Sequence, residues 1–370
     1  MSYSNTGAMP TIAIVHDYLT QRGGAERVVL ELVRLFPDAV VYTSFYNPDT
    51  TFPEFKKAHV IVSRYNKLSM FRNDPRLAFL FLPWIFSRFK IDADYVICST
   101  SGWSQYVRTR GTKVAYCHTP ARWFWASSDY FGSLSRPLRA IAIAVMRIVR
   151  IIDIWSSRSV DIFVANSSIS RDRIQHAYAR DSIVLHPPFS AVLTVEQVDI
   201  PFECHDFYLT VGRPRGYKNT DVVLDAFKNY TDRNLIVVGD GWEEQIQGHD
   251  RVVALSGLTD RQLWWLYANC AGLVAVANED FGLTPIEAFS VGTPVIALRA
   301  GGYLDTCSEN LNCIFVGDLT ARSVAESVSI AAKTDWDKKR IADSALRFSG
   351  EVFDACLLGI IEAHDEGEGL

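Results

Sequence analysis

One segment constrains the fold of this chain more than any other, because a buried strand, a turn that contains glycine and a helix follow one another in it without interruption. Residues 271–276 are a short apolar run of the kind found in a strand that is covered on both faces. Pro285 fits the first position of a helix, and helical spacing follows from Ile286. The pattern predicts a strand-turn-helix unit of an α/β protein, with Glu279 where the strand ends.

Two carboxylates, Glu279 and Glu287, flank this turn at a spacing of eight positions. The first N–H groups of a helix have no partner inside the helix and lie at its positive end, so they suit a diphosphate. The N–H groups at this position belong to Phe281, Gly282, Leu283 and Thr284. An alternative stays open for Glu287, because with Thr284 it also fits a capping box, in which the carboxylate only closes the start of the helix.

A second strand pattern, residues 207–212, leads into a basic loop that contains Arg213 and Lys218. Cations that follow a strand face the crevice where open α/β sheets bind their ligands. Arg213 could neutralise a diphosphate leaving group through its planar fork, and Lys218 as a point charge. The alternative is a solvated basic loop, since most exposed Lys and Arg side chains bind nothing specific.

Two further loops near the N-terminus follow predicted strands. Residues 11–15 read as a strand, and Gly23-Gly24 precedes a helix through Phe36. Residues without side chains let a ligand approach the backbone closely, although a plain tight turn explains the pair equally well. A later strand delivers His118 to a loop rich in aromatic residues, which suits a sugar. The alternative is a buried histidine that is satisfied by backbone groups.

Taken together, these elements resemble the retaining glycosyltransferases of family 4, and the resemblance covers nearly the whole chain. Its strongest mark is the pair Glu279 and Glu287, which matches the family's pattern of Glu, seven residues, Glu. The weaker marks, which follow the order found in the family, are Ala165-Asn166-Ser167-Ser168, Val211-Gly212-Arg213 with Lys218, Val237-Val238-Gly239-Asp240-Gly241, the run from Gly292 to Ala297, and Gly301-Gly302. The segment His118-Thr119-Pro120-x-Arg122 is similar to the mannosyltransferases within that family.

The resemblance implies the GT-B architecture, an α/β fold in which two Rossmann-like domains face a central cleft. Changes in the pattern place the N-terminal, acceptor-side domain at residues 1–186 and a linker at 187–206. The C-terminal, nucleotide-sugar-binding domain would be residues 207–345. Residues 346–370 would form a last helix, which in the family crosses back to the N-terminal domain, followed here by an acidic tail.

The resemblance also implies roles for individual residues. Glu279 would contact the hydroxyl groups of the donor sugar, and Glu287 would hold the ribose of the nucleotide. Arg213 and Lys218 would bind the diphosphate, while His118 would hydrogen-bond the donor sugar. The implied catalytic set is Glu279, His118, Arg213 and Lys218. The implied substrate-binding residues are Gly23, Gly24, Arg213, Lys218, Glu279, Phe281, Gly282, Leu283, Thr284 and Glu287.

Two glycines complete the implied site, and two positions depart from the family. Gly23 and Gly24 would approach the donor and the acceptor. Asp305 stands where the family has Glu after its Gly-Gly pair, and Cys313 stands where a Gly is common. These departures concern the shape of the loop after Gly302 and leave the Glu pair intact.

Composition narrows the class of protein. The 370 residues exceed one ordinary domain, and their 48% hydrophobic content is ample for two cores. A net charge of −5 makes nucleic acid an unfavourable partner. Seven scattered cysteines without a Cys-x-x-Cys motif indicate reduced thiols in a cytoplasm and no zinc site, so we expect neither a metal nor a cofactor. We also expect neither a secretory signal nor a membrane-spanning helix.

The predicted function is transfer of a hexose from a nucleoside diphosphate sugar to a hydroxyl acceptor, with retention of anomeric configuration. The specific expectation is mannose from GDP-mannose, used for glycan or polysaccharide synthesis on an acceptor that is free or lipid-linked. Two alternatives stay open. One is a nucleotide-sugar epimerase of the same fold, and the other is a non-catalytic protein that binds nucleotide sugars.

A basic helix motivates a second hypothesis, contact with an anionic membrane surface at the inner face of the cell membrane. On a helix, five arginines fall in one stripe: Arg136, Arg139, Arg147, Arg150 and Arg158. The apolar residues on the opposite side are Val145, Ile148, Val149, Ile152 and Trp155. The alternative is an ordinary helix whose apolar side is buried in the N-terminal core.

Overall fold

The computed structural model describes residues 10–121, 125, 136–190, 194–214, 218–242 and 245–367. These residues form two compact units. The first unit contains the described residues up to Pro187 together with those from Cys356 onward, and the second unit is Pro188–Ala355. The chain therefore passes between the units twice, once at the Pro187-Pro188 peptide and once inside its last helix.

The core of the first unit is a parallel sheet of seven strands. Its strands, together with those of a small second sheet, are β1 (Ile12–His16), β2 (Val40–Thr43), β3 (Val60–Val62), β4 (Lys90–Ile91), β5 (Tyr95–Thr100), β6 (Arg108–Thr109), β7 (Thr112–Cys117), β8 (Ile162–Ala165) and β9 (Ile183–Val184). The spatial order in the large sheet is β3-β2-β1-β5-β7-β8-β9, and β4 pairs with β6. Strands β5 and β8 are buried along their whole length, as expected for a parallel sheet with both faces covered.

Helices cover this sheet. Those of the first unit are α1 (Gly24–Leu35), α2 (Ser69–Asn73), α3 (Leu82–Ser87), α4 (Arg136–Ser157) and α5 (Ser168–Tyr178). Helix α1 buries Val28, Val29 and Leu32, whose spacing of one, three and four residues puts them on one face. Helix α5 begins after Ser167, whose hydroxyl accepts the N–H of Ser170 and caps the helix.

The second unit repeats the arrangement with six parallel strands. They are β10 (Phe207–Val211), β11 (Asn234–Val238), β12 (Val252–Leu255), β13 (Gly272–Ala275), β14 (Val295–Leu298) and β15 (Cys313–Val316), in the spatial order β12-β11-β10-β13-β14-β15. The helices that follow are α6 (Thr220–Asn229), α7 (Asp260–Asn269), α8 (Leu283–Ser290), α9 (Tyr303–Thr306), α10 (Ala321–Lys333), α11 (Lys338–Ala345) and α12 (Gly350–Asp365). The α/β class predicted from the sequence is confirmed.

Both sheets reverse their strand order beside their first strand. Strand β1 lies between β2 and β5, and β10 lies between β11 and β13. The carboxyl ends of the two strands at such a switch point diverge into loops on opposite faces, and ligands of open α/β sheets bind in the crevice between these loops. Each unit therefore has one place where topology alone favours a ligand.

A buried carboxylate of the long helix α4 accepts hydrogen bonds from other elements of the first unit. Asp153 is fully shielded from solvent and accepts hydrogen bonds from Trp125 Nε1 and Tyr178 Oη, both at 2.9 Å. Gln105 Nε2 and Tyr106 Oη donate to its other oxygen at 3.1 and 3.2 Å. Burial raises the pKa of Asp153 to about 6, although the four donors act in the opposite direction.

The exposed face of α4 differs from the alternative of an ordinary helix with its apolar side in the core. Ile148, Ile152 and Trp155 are exposed, so the expectation that the apolar side is buried in the core is wrong for them. Among the predicted basic stripe, Arg147 and Arg158 are exposed beside these apolar residues. Arg150 is half-buried, and the side chains of Arg136 and Arg139 lie outside the described part of the chain. Among the described residues, no helix is long and apolar enough to cross a membrane.

Candidate functional site

The switch point of the second unit brings Lys218 and Glu279 together. Glu279 follows β13 by four residues, and Lys218 lies just before α6, after the strand β10 that pairs with β13. Lys218 Nζ and Glu279 Oε1 form an ion pair, and each side chain is about a quarter exposed. The structure thus places two of the predicted site residues, 61 positions apart in sequence, in direct contact at the edge of the sheet.

The loop that carries Glu279 is shaped by glycines from another part of the chain. Gly302 N–H donates to the Glu279 carbonyl at 3.0 Å. A Cβ atom on Gly301 would lie 2.4 Å from that carbonyl oxygen, and one on Gly302 would lie 2.2 Å from Phe281 Cα. Gly282 has φ of +85° and no room for a Cβ against the Tyr303 ring. The loop before α8 can therefore keep its shape only with glycine at these three positions.

Arg213 lies beside Lys218 in sequence but in a different environment. Its guanidinium pairs with Asp240 at 3.2 Å, and the two side chains are 62% and 68% exposed. The two residues follow the neighbouring strands β10 and β11. Gly239 fits between these strand ends because a Cβ there would lie 2.6 Å from the Gly212 carbonyl oxygen. An exposed ion pair of this kind contributes little to stability and is easily replaced by another anion.

Glu287 does not cap helix α8, so the capping-box interpretation is wrong. The helix starts at Leu283 with Gly282 as its N-cap, and no side chain caps it. The carboxylate of Glu287 is buried and accepts the hydroxyl of Tyr267 at 2.8 Å. Pro285 is therefore the third residue of the helix, whereas the sequence predicts the first, and residues 281–284 surround the helix start.

A small pocket opens at this edge of the second sheet, between the end of β10 and the start of α8. The residues that line it include Thr210, Gly212, Lys218, Trp242, Thr284 and Tyr303. Trp242 Nε1 donates to the Gly212 carbonyl at 2.9 Å and so fixes the wall next to Arg213. The pocket joins Lys218 to the beginning of α8, where a diphosphate would meet both a cation and helix N–H groups.

The switch point of the first unit is buried and hydrogen-bonded. His16 ends β1, and its Nδ1 lies 3.1 Å from Ser99 Oγ and 3.2 Å from the Ser99 carbonyl oxygen. Ser99 Oγ also contacts Nε2 of His118 at 2.8 Å. His118 is 9% exposed, and burial together with the neighbouring His16 lowers its pKa to about 3. The ring of His118 is therefore neutral and is held by a serine side chain rather than by backbone groups.

Asp17 fixes the next loop of this unit. Its carboxylate accepts the backbone N–H groups of Ser101 at 2.7 Å, Trp103 at 3.2 Å and Ser104 at 2.7 Å. Burial raises the pKa of Asp17, although the charge of His16 and the three N–H donors oppose this. The loop after β5 is thereby folded around a buried carboxylate next to His16.

The predicted Gly23-Gly24 turn stands at the start of α1. Gly23 is the N-cap of that helix, and a Cβ on it would lie 2.7 Å from Glu26 Oε2. Glu26 is almost fully buried, and its Oε1 lies 3.8 Å from His16 Nε2. The two glycines are therefore adjacent to the buried polar group around His16.

Sequence reasoning missed several residues at the two switch points, namely His16, Asp17, Glu26, Ser99, Asp240 and Tyr267. The first five lie at or just after strand ends or in the first turn of a helix, so the position of polar residues at strand ends could have identified most of them. Nothing in the sequence signals the contact of Tyr267 with a carboxylate 20 positions away. Arg122 of the predicted mannosyltransferase segment lies outside the described residues.

Two family models match the chain, and they do so in sequence order. Residues 22–189 match Glycosyltransferase Family 4, and residues 200–345 match Glycosyl transferases group 1. The two matches follow one another across the first and second units and together cover more than four fifths of the chain. The chain belongs to the GT-B glycosyltransferases of family 4.

Individual relatives are distant from this glycosyltransferase. It is 27% identical over 174 residues to the lipopolysaccharide core biosynthesis mannosyltransferase LpcC of Rhizobium leguminosarum, which covers 41% of this chain and about half, 48%, of that relative. It is 24% identical to the alpha-1,3/1,6-mannosyltransferase ALG2 of Dictyostelium discoideum, over 80% of this chain and 83% of the relative. The crystal structure of Anabaena HepE in complex with UDP-glucose matches with a TM-score of 0.67 and 16% identity, covering 95% of this chain and 100% of that one. This last similarity concerns the fold.

Proposed function

We propose that this glycosyltransferase transfers a hexose from a nucleoside diphosphate sugar to a hydroxyl acceptor and retains the anomeric configuration. The observation that carries the proposal is the pair Lys218–Glu279 beside the start of α8, at the switch point of the second unit. Lys218 and the start of α8 line one pocket, and the carboxylate of Glu279 is paired with that lysine, so the site offers separate partners for the diphosphate and the sugar hydroxyls. The site residues keep the roles that the family resemblance implies.

The reaction requires the site to stabilise the charges that develop as the bond to the diphosphate breaks. As the bond between sugar and diphosphate breaks, negative charge grows on the leaving phosphate and positive charge grows on the sugar ring. Lys218, Arg213 and the N–H groups of residues 281–284 stabilise the first charge, because they are oriented before the reaction starts. Glu279 is released from Lys218 as the phosphate arrives and accepts hydrogen bonds from sugar hydroxyls. The leaving phosphate takes the proton of the acceptor hydroxyl.

Mannose, carried by GDP, is the donor sugar that we propose. The support comes from the two relatives described above, whose names both state mannosyltransferase. The nucleotide is tested by the thermal unfolding midpoint of the protein with GDP, UDP and ADP and with their sugars. A ligand at 100 times its Kd adds about 2.7 kcal/mol to the free energy of unfolding, so the correct base gives the largest shift. A shift with UDP or ADP alone would contradict the choice of GDP.

Turnover is tested with purified protein, GDP-mannose and a panel of hydroxyl acceptors. The expected result is release of GDP that depends on acceptor, with a product whose anomeric carbon has the configuration of the donor by NMR. Release of nucleotide without any acceptor would instead indicate an epimerase. Binding of the nucleotide sugar without turnover on any acceptor would indicate a non-catalytic binding protein.

We also propose that the first unit binds an anionic membrane surface, where a lipid-linked acceptor would be found. Two of its segments expose large apolar side chains, Trp155 at 71%, Ile151 at 67% and Ile148 at 60% on α4, and Phe81 and Trp84 around α3. Five further large apolar side chains in the same part of the unit are exposed: Leu68, Met70, Leu77, Leu80 and Ile152. Both segments cover the same core cluster, and Ser87 at the end of α3 lines one pocket with Trp155.

The positive charge of this region favours an anionic lipid surface as its partner. Residues 64–158 contain fifteen Lys and Arg against five Asp and no Glu, in a chain whose net charge is −5. The exposed cations nearest in sequence to the apolar residues are Lys67, Arg76, Arg88, Arg147 and Arg158. Each cation near anionic headgroups adds about 1 kcal/mol, and each large apolar side chain that is buried adds roughly 1.5–3 kcal/mol. Trp84 and Trp155 suit the boundary between headgroups and acyl chains.

Vesicle co-sedimentation tests the membrane proposal. Wild-type protein should bind vesicles that contain anionic lipid, and binding should weaken with salt. Ile151→Ser with Trp155→Ser should reduce binding at least ten-fold. The matched control is Ile330→Ser with Leu346→Ser, which removes side chains that are 53% and 61% exposed in the second unit. No binding by wild type, equal loss in the control, or a dimer that the first variant abolishes would overturn the proposal.

A further inference from the structure

Four buried side chains of the first unit form a continuous series that links helix α1 to His118. Glu26 Oε1 lies 3.8 Å from His16 Nε2, His16 Nδ1 lies 3.1 Å from Ser99 Oγ, and Ser99 Oγ lies 2.8 Å from His118 Nε2. We name Glu26, His16, Ser99 and His118 the histidine relay. Their side chains come from four different elements, so the series exists only in the folded unit.

The neighbours of His16 determine where its protons lie. Nδ1 faces the Ser99 carbonyl oxygen at 3.2 Å, and a carbonyl oxygen can only accept a hydrogen bond. Nε2 faces a carboxylate, which also only accepts when it is ionised. Glu26 Oε2 has no hydrogen-bond partner among the described residues, so His16 is the cation that compensates this buried negative charge. Both ring nitrogens of His16 therefore carry a proton.

A charged His16 fixes the direction of the next hydrogen bond. Because Nδ1 of His16 carries a proton, it cannot accept the Ser99 hydroxyl, and that hydroxyl donates to His118 Nε2 instead. A neutral imidazole has one donor and one acceptor nitrogen. His118 must then carry its proton on Nδ1, which has no hydrogen-bond partner among the described residues.

Other contacts keep the His118 ring in this position. Its backbone N–H donates to the Thr100 carbonyl at 2.9 Å, and its carbonyl accepts the Ser170 hydroxyl at 2.9 Å. The ring packs edge-on against Tyr116, with centroids 5.3 Å apart. The backbone and ring plane are thus set independently of Ser99, which leaves the choice of tautomer as the contribution of the relay.

We propose that Glu26, His16 and Ser99 are positioning residues that hold His118 in the Nδ1–H tautomer, so that His118 presents a hydrogen-bond donor to a hydroxyl oxygen of the sugar substrate. This assignment rests on the proposed function, in which His118 contacts the donor sugar. If His16 lost its charge, its Nδ1 would accept the Ser99 hydroxyl, Ser99 would accept from His118 Nε2, and Nδ1 of His118 would become an acceptor. The relay therefore makes the donor character of His118 depend on the proton that His16 carries on Nδ1.

The relay has a defined pH dependence. The titratable groups that face His16 are Glu26 from α1, Asp17 beside it in the chain and His118 across Ser99. Burial acts to lower the pKa of His16, but Glu26 and Asp17 outweigh it and the pKa is raised. A raised histidine pKa means that the charge persists to a higher pH than on an ordinary histidine and is lost as pH increases through the folded value. The donor tautomer of His118 should disappear over the same pH range.

Nitrogen-15 NMR of ring-labelled histidine tests the tautomer without any substrate. The chain has eight histidines, and the His118 signals are identified by their loss in His118→Gln. At neutral pH, wild type should show His118 protonated at Nδ1 and His16 protonated at both nitrogens. Ser99→Ala should give a mixture of His118 tautomers, Ser99→Thr should restore the wild-type signals, and the matched control Ser170→Ala should not change them. An unchanged tautomer in folded Ser99→Ala would overturn the proposal.

Steady-state kinetics with the sugar donor test whether the tautomer of His118 affects donor binding. Ser99→Ala should raise the KM for the donor sugar roughly ten-fold, with a smaller effect on kcat, and Ser99→Thr should recover most of it. Glu26→Gln should move the alkaline limb of kcat/KM to lower pH, while Glu31→Gln on the same helix, which only loses its 2.8 Å pair with Arg34, should leave that limb in place. An alkaline limb that does not move in Glu26→Gln would contradict the relay. A changed tautomer with unchanged KM would refute the contact between His118 and the donor and would leave the relay intact.

Discussion

At the switch point of the first unit, His16, Ser99 and His118 are buried and bonded to one another, whereas at that of the second unit Arg213, Lys218 and Glu279 are reached by solvent. The two sites share one topology, in which the order of the parallel strands reverses beside the first strand of the sheet. The difference shows that topology provides the position of a site, while burial determines what the side chains can do there. The first site fixes hydrogen-bond direction, and the second holds charges that a ligand can take over.

The largest predicted effect comes from the cation of the exposed site. Lys218→Ala should lower kcat/KM on the order of 100-fold, because it removes a charge that stabilises the leaving diphosphate. Stability should change little, since the pair with Glu279 is partly exposed. Steady-state kinetics and thermal unfolding measure the two quantities. The matched control is Lys228→Ala, an exposed lysine on α6, and a folded Lys218→Ala enzyme with the rate of that control would rule out the assigned role.

The next effect separates binding from packing at Glu287. Glu287→Gln keeps an oxygen that can accept the Tyr267 hydroxyl but removes the charge, so the Kd for the nucleotide should rise about ten-fold if the carboxylate holds the ribose. Tyr267→Phe should instead lower the free energy of unfolding by about 1 kcal/mol and change nucleotide affinity little. Calorimetric titration and chemical denaturation measure these values. Equal loss of affinity in both variants would show that Glu287 acts only through its contact with Tyr267.

A smaller effect tests whether Asp240 competes with the ligand for Arg213. If the two are paired in the free protein, Asp240→Asn should leave stability unchanged and lower the donor KM by a few-fold at low salt, because the guanidinium no longer has to exchange one anion for another. The control is Asp232→Asn, which removes an exposed carboxylate 3.9 Å from Arg233. A donor KM that rises in Asp240→Asn would indicate that Asp240 itself contacts the substrate.

A last prediction concerns stability and not substrate binding, through the buried carboxylate of Asp153 on α4. Its pKa is about 6 in the folded protein and 3.8 ordinarily, so the folded state binds the proton more tightly. The contribution of Asp153 to the free energy of unfolding should therefore increase as pH falls from about 6 to about 4. Denaturation of wild type and Asp153→Asn across this range measures the difference, since the Asn variant lacks that titration. A difference that is constant with pH would show that Asp153 remains ionised.

The sequence was sufficient to predict much of the second unit. Residues 271–276, the turn and the helix near Pro285 follow one another in the chain, so local pattern alone places Glu279 at a strand end. The start of helix α7 is also set by a local signal, the Thr259 capping box. Lys218 could be placed at the sheet edge, but its contact with Glu279 depends on which strands are neighbours.

The first unit was less accessible to sequence reasoning for a physical reason. Its site is made of single polar residues at the ends of β1, β5 and β7, and each looks ordinary in its own segment. Ser99 gains its importance from two histidines that lie 83 and 19 positions away. The capping box at Thr284 and Glu287 failed for the opposite reason, because a valid local pattern was overridden by a hydrogen bond from Tyr267 in the preceding helix.

The contact of Gly301 and Gly302 with the backbone of residues 279–281 has a consequence for how variation in this chain should be interpreted. The geometry of the loop that presents Glu279 is specified by two residues more than twenty positions downstream that have no side chain to offer a ligand. In a library of single variants scored for activity, positions 301 and 302 should therefore tolerate as few amino acids as Glu279 itself. Second-site suppressors of a defect there should map to the partner segment 279–282 rather than to the residues that bind substrate.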